Sequence, residues 1–176
     1  MMKPMTKALI AAGLLSASVV AQAGLSANIG AMSDYYFRGL DQTDGGASMM
    51  GGVDYEADNG LYVGTWMASL NEGIEYDIYA GYAGEVEGVG YGIGYTGYFY
   101  SDDKWVDGDY QEINLSVSYG PISLSHNIGE YSDDTVGGTD IDYTFTSLTG
   151  EYEGAYLTYG VYGDDVDGDY VELGYG

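Results

Sequence analysis

Cysteine is absent from this 176-residue chain, and proline occurs only twice. Without cysteine the chain has no disulfide framework and no thiolate ligand for a metal ion. His126 is the only histidine, so zinc sites built from several imidazoles are excluded as well. We therefore expect no cofactor and no Cys/His metal site.

Positive charge is also scarce, because four Lys and Arg residues stand against 28 Asp and Glu. Binding of nucleic acid depends on neutralising phosphates with Lys and Arg, so the composition excludes a nucleic-acid partner. Excess acid in a chain with few aromatics would indicate disorder. This chain instead carries 21 Tyr and 30 Gly in regularly alternating segments, which favours ordered sheet in one domain.

No apolar run reaches the roughly 20 residues that a membrane-spanning helix needs. The longest run, residues 8–20, follows two lysines and precedes an Ala-x-Ala site at residues 21–23. This arrangement is typical of a secretory signal peptide rather than of a membrane anchor. We predict that residues 1–23 are removed and that residues 24–176 form one mature domain. Two basic residues then remain against 28 acidic ones, for a net charge of −26.

Apolar and polar residues alternate through most of the mature chain, beginning with the stretch from residue 25 to residue 39. Successive side chains of a strand point to opposite faces, so this period indicates strands with one apolar and one polar face. The expected strands are residues 25–39, 47–57, 61–70, 74–82, 89–99, 110–119, 122–128, 140–146, 155–161 and 169–176.

The connections between these strands differ in length. The long ones are acidic and cover residues 40–46, 101–109, 130–139 and 163–168. The short ones alternate with most of these and cover residues 58–60, 84–88 and 120–121. Barrels of the outer membrane have short periplasmic turns and long external loops, whereas a soluble sandwich has little reason for this asymmetry. We predict an all-β fold: an antiparallel transmembrane β-barrel of the outer-membrane type with about ten strands.

Five segments of the chain match a known pattern: residues 28–30, 33–39, 42–43, 60–66 and 75–82. They resemble the TorF-family porins, also called the Gcw_chp family. The resemblance implies an outer-membrane barrel of Gram-negative bacteria and offers no catalytic or binding residues. Family members continue for about one further hairpin and end in an aromatic residue, whereas this sequence stops at Tyr175-Gly176. We therefore expect C-terminal strands to be missing and twelve strands in a complete chain.

Charged residues on the predicted polar faces are the candidate functional residues. If these faces line a lumen, the pore-lining candidates are Asp34, Arg38, Asp54, Glu56, Glu75, Asp77, Glu112, Asp140, Asp142 and Glu172. Rings of Asp and Glu favour cations, so such a lumen would select for them. Alternatively, the same side chains fill a narrow interior and form hydrogen bonds there, as in eight-stranded barrels.

Catalysis and metal binding have little support in the sequence. His126 follows Ser125, but neighbours in a strand point to opposite faces and cannot form a catalytic dyad, so we do not expect an enzyme. Two groups of closely spaced carboxylates are weak candidates for calcium, and neither has EF-hand spacing. The first group lies in residues 102–109. The second weak group consists of Asp164, Asp165, Asp167 and Asp169.

These features predict an outer-membrane porin that passes small solutes or ions and prefers cations. Its partners would be the lipid of the outer membrane and the permeating solute. Two alternatives stay open at this point. One is a closed barrel with a structural or adhesive role through its acidic external loops, and the other is a soluble secreted acidic β-protein.

The signal sequence and the apolar strand faces predict where the protein is found. The mature chain should begin near Gly24 and fractionate with the outer membrane, because export is followed by insertion of the strands into lipid. N-terminal sequencing and membrane fractionation test this location. Recovery of the protein in the soluble periplasmic or secreted fraction would contradict it.

Overall fold

The computed structural model describes residues 15–19, 24–101, 108–133 and 138–176. Within these ranges the chain forms β-strands and no helix, and so no helix that is long and apolar enough to cross a membrane. The strands are β1 (Leu15–Val19), β2 (Leu25–Met32), β3 (Tyr36–Phe37), β4 (Leu40–Asp41), β5 (Ser48–Glu56), β6 (Leu61–Ser69), β7 (Ile74–Val86), β8 (Val89–Tyr100), β9 (Gly108–Tyr119), β10 (Ile122–Asp133), β11 (Ile141–Tyr152), β12 (Ala155–Asp164) and β13 (Asp169–Tyr175).

Eleven of these strands form one sheet in the order β1-β2-β5-β6-β7-β8-β9-β10-β11-β12-β13. Each strand pairs antiparallel with the next, and β3 and β4 form a separate small hairpin between β2 and β5. In the described part of the chain β1 and β13 do not pair, so hydrogen bonds do not close the sheet. The predicted all-β antiparallel architecture is confirmed.

The sheet carries its apolar side chains on the exposed face. In β7, Ile74 and Ile78 are exposed, whereas Glu75 and Asp77 between them are buried. In β9 Glu112 is buried next to the exposed Ile113. Soluble antiparallel sheets do the reverse, with the apolar face on the core and the polar face in water. We call the buried polar side the inner face and the apolar side the outer face.

Tyrosine rings pack over glycines on the inner face. Gly129 lies directly opposite Tyr143 in the β10–β11 ladder, and a Cβ at Gly129 would overlap the tyrosine ring. Gly174 has the same relation to Tyr156 between β13 and β12. Since glycine has no side chain, the ring of the neighbouring strand can lie flat against the sheet. This packing explains part of the abundance of both residue types.

The first predicted strand, residues 25–39, is wrong beyond Met32, where β2 ends. The chain bends at residues 33–35 and then reverses between β3 and β4, where Arg38 and Gly39 both have positive φ angles. The N–H of Gln42 donates to the carbonyl of Tyr35 at 2.7 Å and holds this reversal. Alternation of polarity alone cannot reveal such a reversal, because the residues of the bend continue the same alternating pattern as the strand before it.

β1 pairs with residues 27–31 of β2 although β1 lies inside the predicted signal peptide. Removal of residues 1–23 therefore stays a prediction.

The predicted outer face of β11 is also wrong. Tyr143 and Phe145 are buried, with exposed fractions of 6 and 3%. Gly129 pairs with both Glu112 and Tyr143, so Tyr143 shares the inner face with Glu112. Asp142, which was predicted on the polar inner face, lies on the outer one. The polarity pattern failed because aromatic rings fill the interior at this strand.

The strand faces can be tested by placing a charge on each. Leu115 is on the outer face and Ser116 on the inner face of β9. If the outer face meets lipid, Leu115→Arg should cost about 2–4 kcal/mol near the bilayer midplane. Ser116→Arg should cost much less, and the yield of folded protein in detergent or vesicles measures the difference. The opposite ranking would show that the outer face does not meet lipid.

Candidate functional site inside the sheet

The segment between β2 and β5, residues 34–43, folds against the inner face, and we call it the internal hairpin. Phe37 packs edge-to-face on Tyr98 of β8, with 5.8 Å between ring centroids. Gly39 lies so close to Tyr170 of β13 that a Cβ there would be 2.9 Å from it. Strands far apart in the sheet thus contact one hairpin, so the sheet curves around it.

Arg38 at the tip of the internal hairpin forms an ion pair with Glu112 of β9. Both guanidinium NH groups donate to the carboxylate, and the second of these bonds measures 2.9 Å. The guanidinium also lies 4.4 Å from the ring centroid of Phe145, which is a cation–π contact. Burial alone would lower the pKa of Arg38, but the hydrogen bonds and charge of Glu112 raise it above its ordinary value. Arg38 is therefore a permanent cation in the interior.

Glu112 is satisfied by several donors at once, and its exposed fraction is only 1%. The hydroxyls of Tyr98 and Tyr143 each donate to it at 2.9 Å, and the amide of Asn114 donates at 3.0 Å. A buried carboxylate is stable only when it is paired and hydrogen-bonded. These donors and Arg38 provide both conditions.

Other inner carboxylates also accept hydrogen bonds from tyrosine hydroxyls. The pairs are Tyr79 with Asp54, Tyr35 with Glu75 at 3.2 Å, and Tyr156 with Glu172 at 2.6 Å. Burial and then the charge of Glu75 raise the pKa of Tyr35, so its hydroxyl stays a hydrogen-bond donor. The interior is a network of carboxylates and phenols.

The base of the internal hairpin is fixed by Asp34 and Thr43. The Thr43 hydroxyl donates to the carboxylate of Asp34 at 2.8 Å and accepts from the backbone N–H of Tyr35 at 2.9 Å. Tyr35 then packs on Trp66 of β6, with 5.6 Å between ring centroids. These contacts hold the segment at one end of the sheet, next to the long connections.

The predicted pore-lining residues fall into three groups. Those in the interior are Arg38, Asp54, Glu75, Asp77, Glu112 and Glu172. Asp34 lies at the base of the internal hairpin, and Glu56 is exposed at the end of β5. Asp140 and Asp142 are exposed, and assigning Asp142 to the lumen was wrong because it shares a face with Gln111 and Glu130.

Sequence reasoning missed the tyrosines that bind these carboxylates. Tyr35 and Tyr143 lie on the inner face, whereas the alternation of polarity predicted both on the apolar faces of their strands. At Tyr79 the alternation was informative, because this residue lies in phase with Glu75 and Asp77 and was predicted on the polar face with them. The inward path of the internal hairpin had no comparable signal.

The hypothetical catalytic and calcium sites find no support among the described residues. The ring Nδ1 of His126 lies 2.8 Å from the Thr146 hydroxyl, whereas the hydroxyls of Ser125 and Ser147 lie 2.7 Å apart on the other face. No group of three or more His, Cys, Asp or Glu side chains is arranged to hold a metal ion in the described ranges. Asp102, Asp103 and Asp107, on the predicted 101–109 loop, lie outside these ranges.

The architecture defines the class: an antiparallel all-β protein with an apolar exterior and a charged interior. The family model described as "Bacterial protein of unknown function (Gcw_chp)" matches residues 16–172, and the chain belongs to this family. No curated protein and no solved structure matches the chain significantly.

We predict that the ion pair between Arg38 and Glu112 contributes to the stability of the folded protein. Arg38→Met would leave Glu112 buried without its cation and should lower the free energy of unfolding by about 3–5 kcal/mol. Urea titration of the protein folded in detergent measures this loss.

A second substitution provides the control. Adding Glu112→Gln to Arg38→Met removes the uncompensated charge and should recover a large part of the loss. Asp142→Asn on the outer face should change stability little. An Arg38→Met variant as stable as the wild type would show that the ion pair does not hold the hairpin.

Proposed function

We propose that this chain is an outer-membrane β-barrel of the porin type, which passes small solutes or ions and prefers cations. The observation that carries the proposal is the inverted polarity of the sheet. An exposed face of Ile, Leu, Val and Tyr is unfavourable in water but suits lipid. Carboxylates and an arginine on the inner face suit an interior away from lipid.

A belt of tyrosines supports a membrane setting. Six outer-face tyrosines lie at the end of the sheet that carries the short turns, and all are exposed: Tyr55, Tyr82, Tyr91, Tyr119, Tyr152 and Tyr175. Aromatic girdles occur where a barrel crosses the interface between hydrocarbon and water. The outer-face residues farther along the strands are mostly aliphatic, as the hydrocarbon region requires.

Strand count supports a barrel once the predicted signal peptide is removed. Cleavage after residue 23 would remove β1 and leave ten strands in the large sheet. Successive strands alternate in direction, so β2 and β13 would then be antiparallel edges. Bacterial outer-membrane barrels have even numbers of antiparallel strands. The contact of Gly39 with Tyr170 already brings the segment after β2 near β13.

The preference for cations follows from the charges of the interior. Acidic side chains outnumber basic ones in the described interior. Arg38 is the one positively charged side chain there, and the acidic ones are Asp54, Glu75, Asp77, Glu112 and Glu172. Charges interact more strongly inside a protein than in bulk water, so this excess attracts cations. The internal hairpin would form the narrowest part of a solute path.

A second function is favoured by the ion pair itself. Arg38 and Glu112 occupy the interior together with the rings of Tyr98, Tyr143 and Phe145. A barrel filled at this level would not conduct, and its external loops would then carry a structural or adhesive role. Conductance separates the two functions.

In planar bilayers the protein should pass cations better than anions at low salt. The preference should fade as ionic strength rises, because the screening length falls to about 10 Å at 0.1 M. Replacing Asp54, Glu56, Glu75 and Asp77 by their amides should reduce the ratio of cation to anion permeability without unfolding the protein. Asp142→Asn on the outer face is the matched control.

Each result of this experiment has a definite meaning. Folded protein without conductance would reject the pore and favour the closed barrel. A preference for anions would show that the inner carboxylates do not line the path.

A further inference from the structure

Asp77 is an exception among the buried carboxylates of the inner face. Its exposed fraction is 7%, and its Oδ1 atom is buried without a hydrogen-bond partner among the described residues. Asp54, Glu75, Glu112 and Glu172 each accept a tyrosine hydroxyl. A buried carboxylate oxygen with no donor is unfavourable because it has lost its hydration without gaining a hydrogen bond. Asp77 therefore needs a partner that the described side chains around it do not supply.

Two donors of the inner face, Tyr98 and Arg38, are committed to Glu112. Asp77 of β7 lies directly opposite Trp66 on one neighbouring strand, β6, and opposite Tyr98 on the other, β8. The Tyr98 hydroxyl donates to Glu112, and Arg38 is bound to the same carboxylate. No second cationic side chain lies in the described interior that could approach Asp77.

A second carboxylate stands beside this oxygen. Glu75 precedes Asp77 by two residues on the same face of β7 and is also buried. Tyr35 donates one hydrogen bond to Glu75, at 3.2 Å. Two buried carboxyl groups thus lie side by side near the start of β7, and within the described residues the one ion pair of the interior engages neither of them.

The chemistry of this place favours a small monovalent cation. Calcium takes six to eight oxygen ligands, and no group of three or more ligating side chains exists in the described ranges. A singly charged ion needs less compensation, and the aromatic residues Trp66 and Tyr98 pair with Asp77 on the two neighbouring strands. We propose that Glu75 and Asp77 bind one alkali-metal cation on the inner face. This deepens the proposed function by naming the cation site, and it rests on that function for the route of entry.

Binding can be measured without conductance. The full-length protein folded in detergent is heated in KCl or in N-methyl-D-glucamine chloride at the same ionic strength. Since K⁺ would bind only the folded state, the unfolding midpoint should rise steadily with the logarithm of the K⁺ concentration, by about 3–6 °C at ten times the dissociation constant. Asp77→Asn should abolish the dependence on K⁺, whereas Asp142→Asn should keep it.

Equal midpoints in both salts for the wild type would overturn the cation site and leave a proton or a water molecule as the partner of Asp77. The same dependence in wild type and Asp77→Asn would overturn it too. The proposed function fails separately: a protein stabilised by K⁺ that does not conduct keeps the site and loses the pore. A conducting protein without this stabilisation loses only the site.

Discussion

The ion pair of Arg38 with Glu112 is the interaction on which the interior depends. It joins the tip of the internal hairpin to the middle of the sheet, and Tyr98 and Tyr143 bind the same carboxylate from strands on either side. One buried charge thus fixes three strands and the hairpin relative to one another. Because a buried ion must keep its partner, this arrangement also determines how tightly the sheet can curve around the hairpin.

Inverted polarity imposes a second constraint, since buried polar groups of the inner face need hydrogen-bond partners, and the protein itself supplies them for all but Asp77 among the buried carboxylates named above. Tyrosine meets this need with a hydroxyl at the end of a large ring, which fills space and donates one hydrogen bond. Glycine on the facing strand makes room for the ring, as Gly129 does for Tyr143. The same two residue types therefore serve packing and hydrogen bonding.

The interior differs along its length. Near the long connections it holds the internal hairpin, the ion pair and the unpartnered oxygen of Asp77. Near the short turns the inner positions of β8 and β9 are small, for example Gly90, Gly92 and Ser118. The internal hairpin thus fills the end of the inner face that also holds Arg38, Glu112 and Asp77. Selection and closure would be properties of the same few side chains.

The sequence by itself determined the elements with a strict period of two and clear turn residues. It predicted the antiparallel all-β architecture and the faces of β7 and β9, because residues such as Glu75 and Ile113 reveal a face by their own polarity. The face of β11 and the path of the internal hairpin were decided only by tertiary structure. An aromatic such as Phe145 suits lipid or a packed interior equally, and its neighbours make the choice. Arg38 likewise meets Glu112 across 74 positions of sequence, through a reversal of the chain that no local pattern encodes.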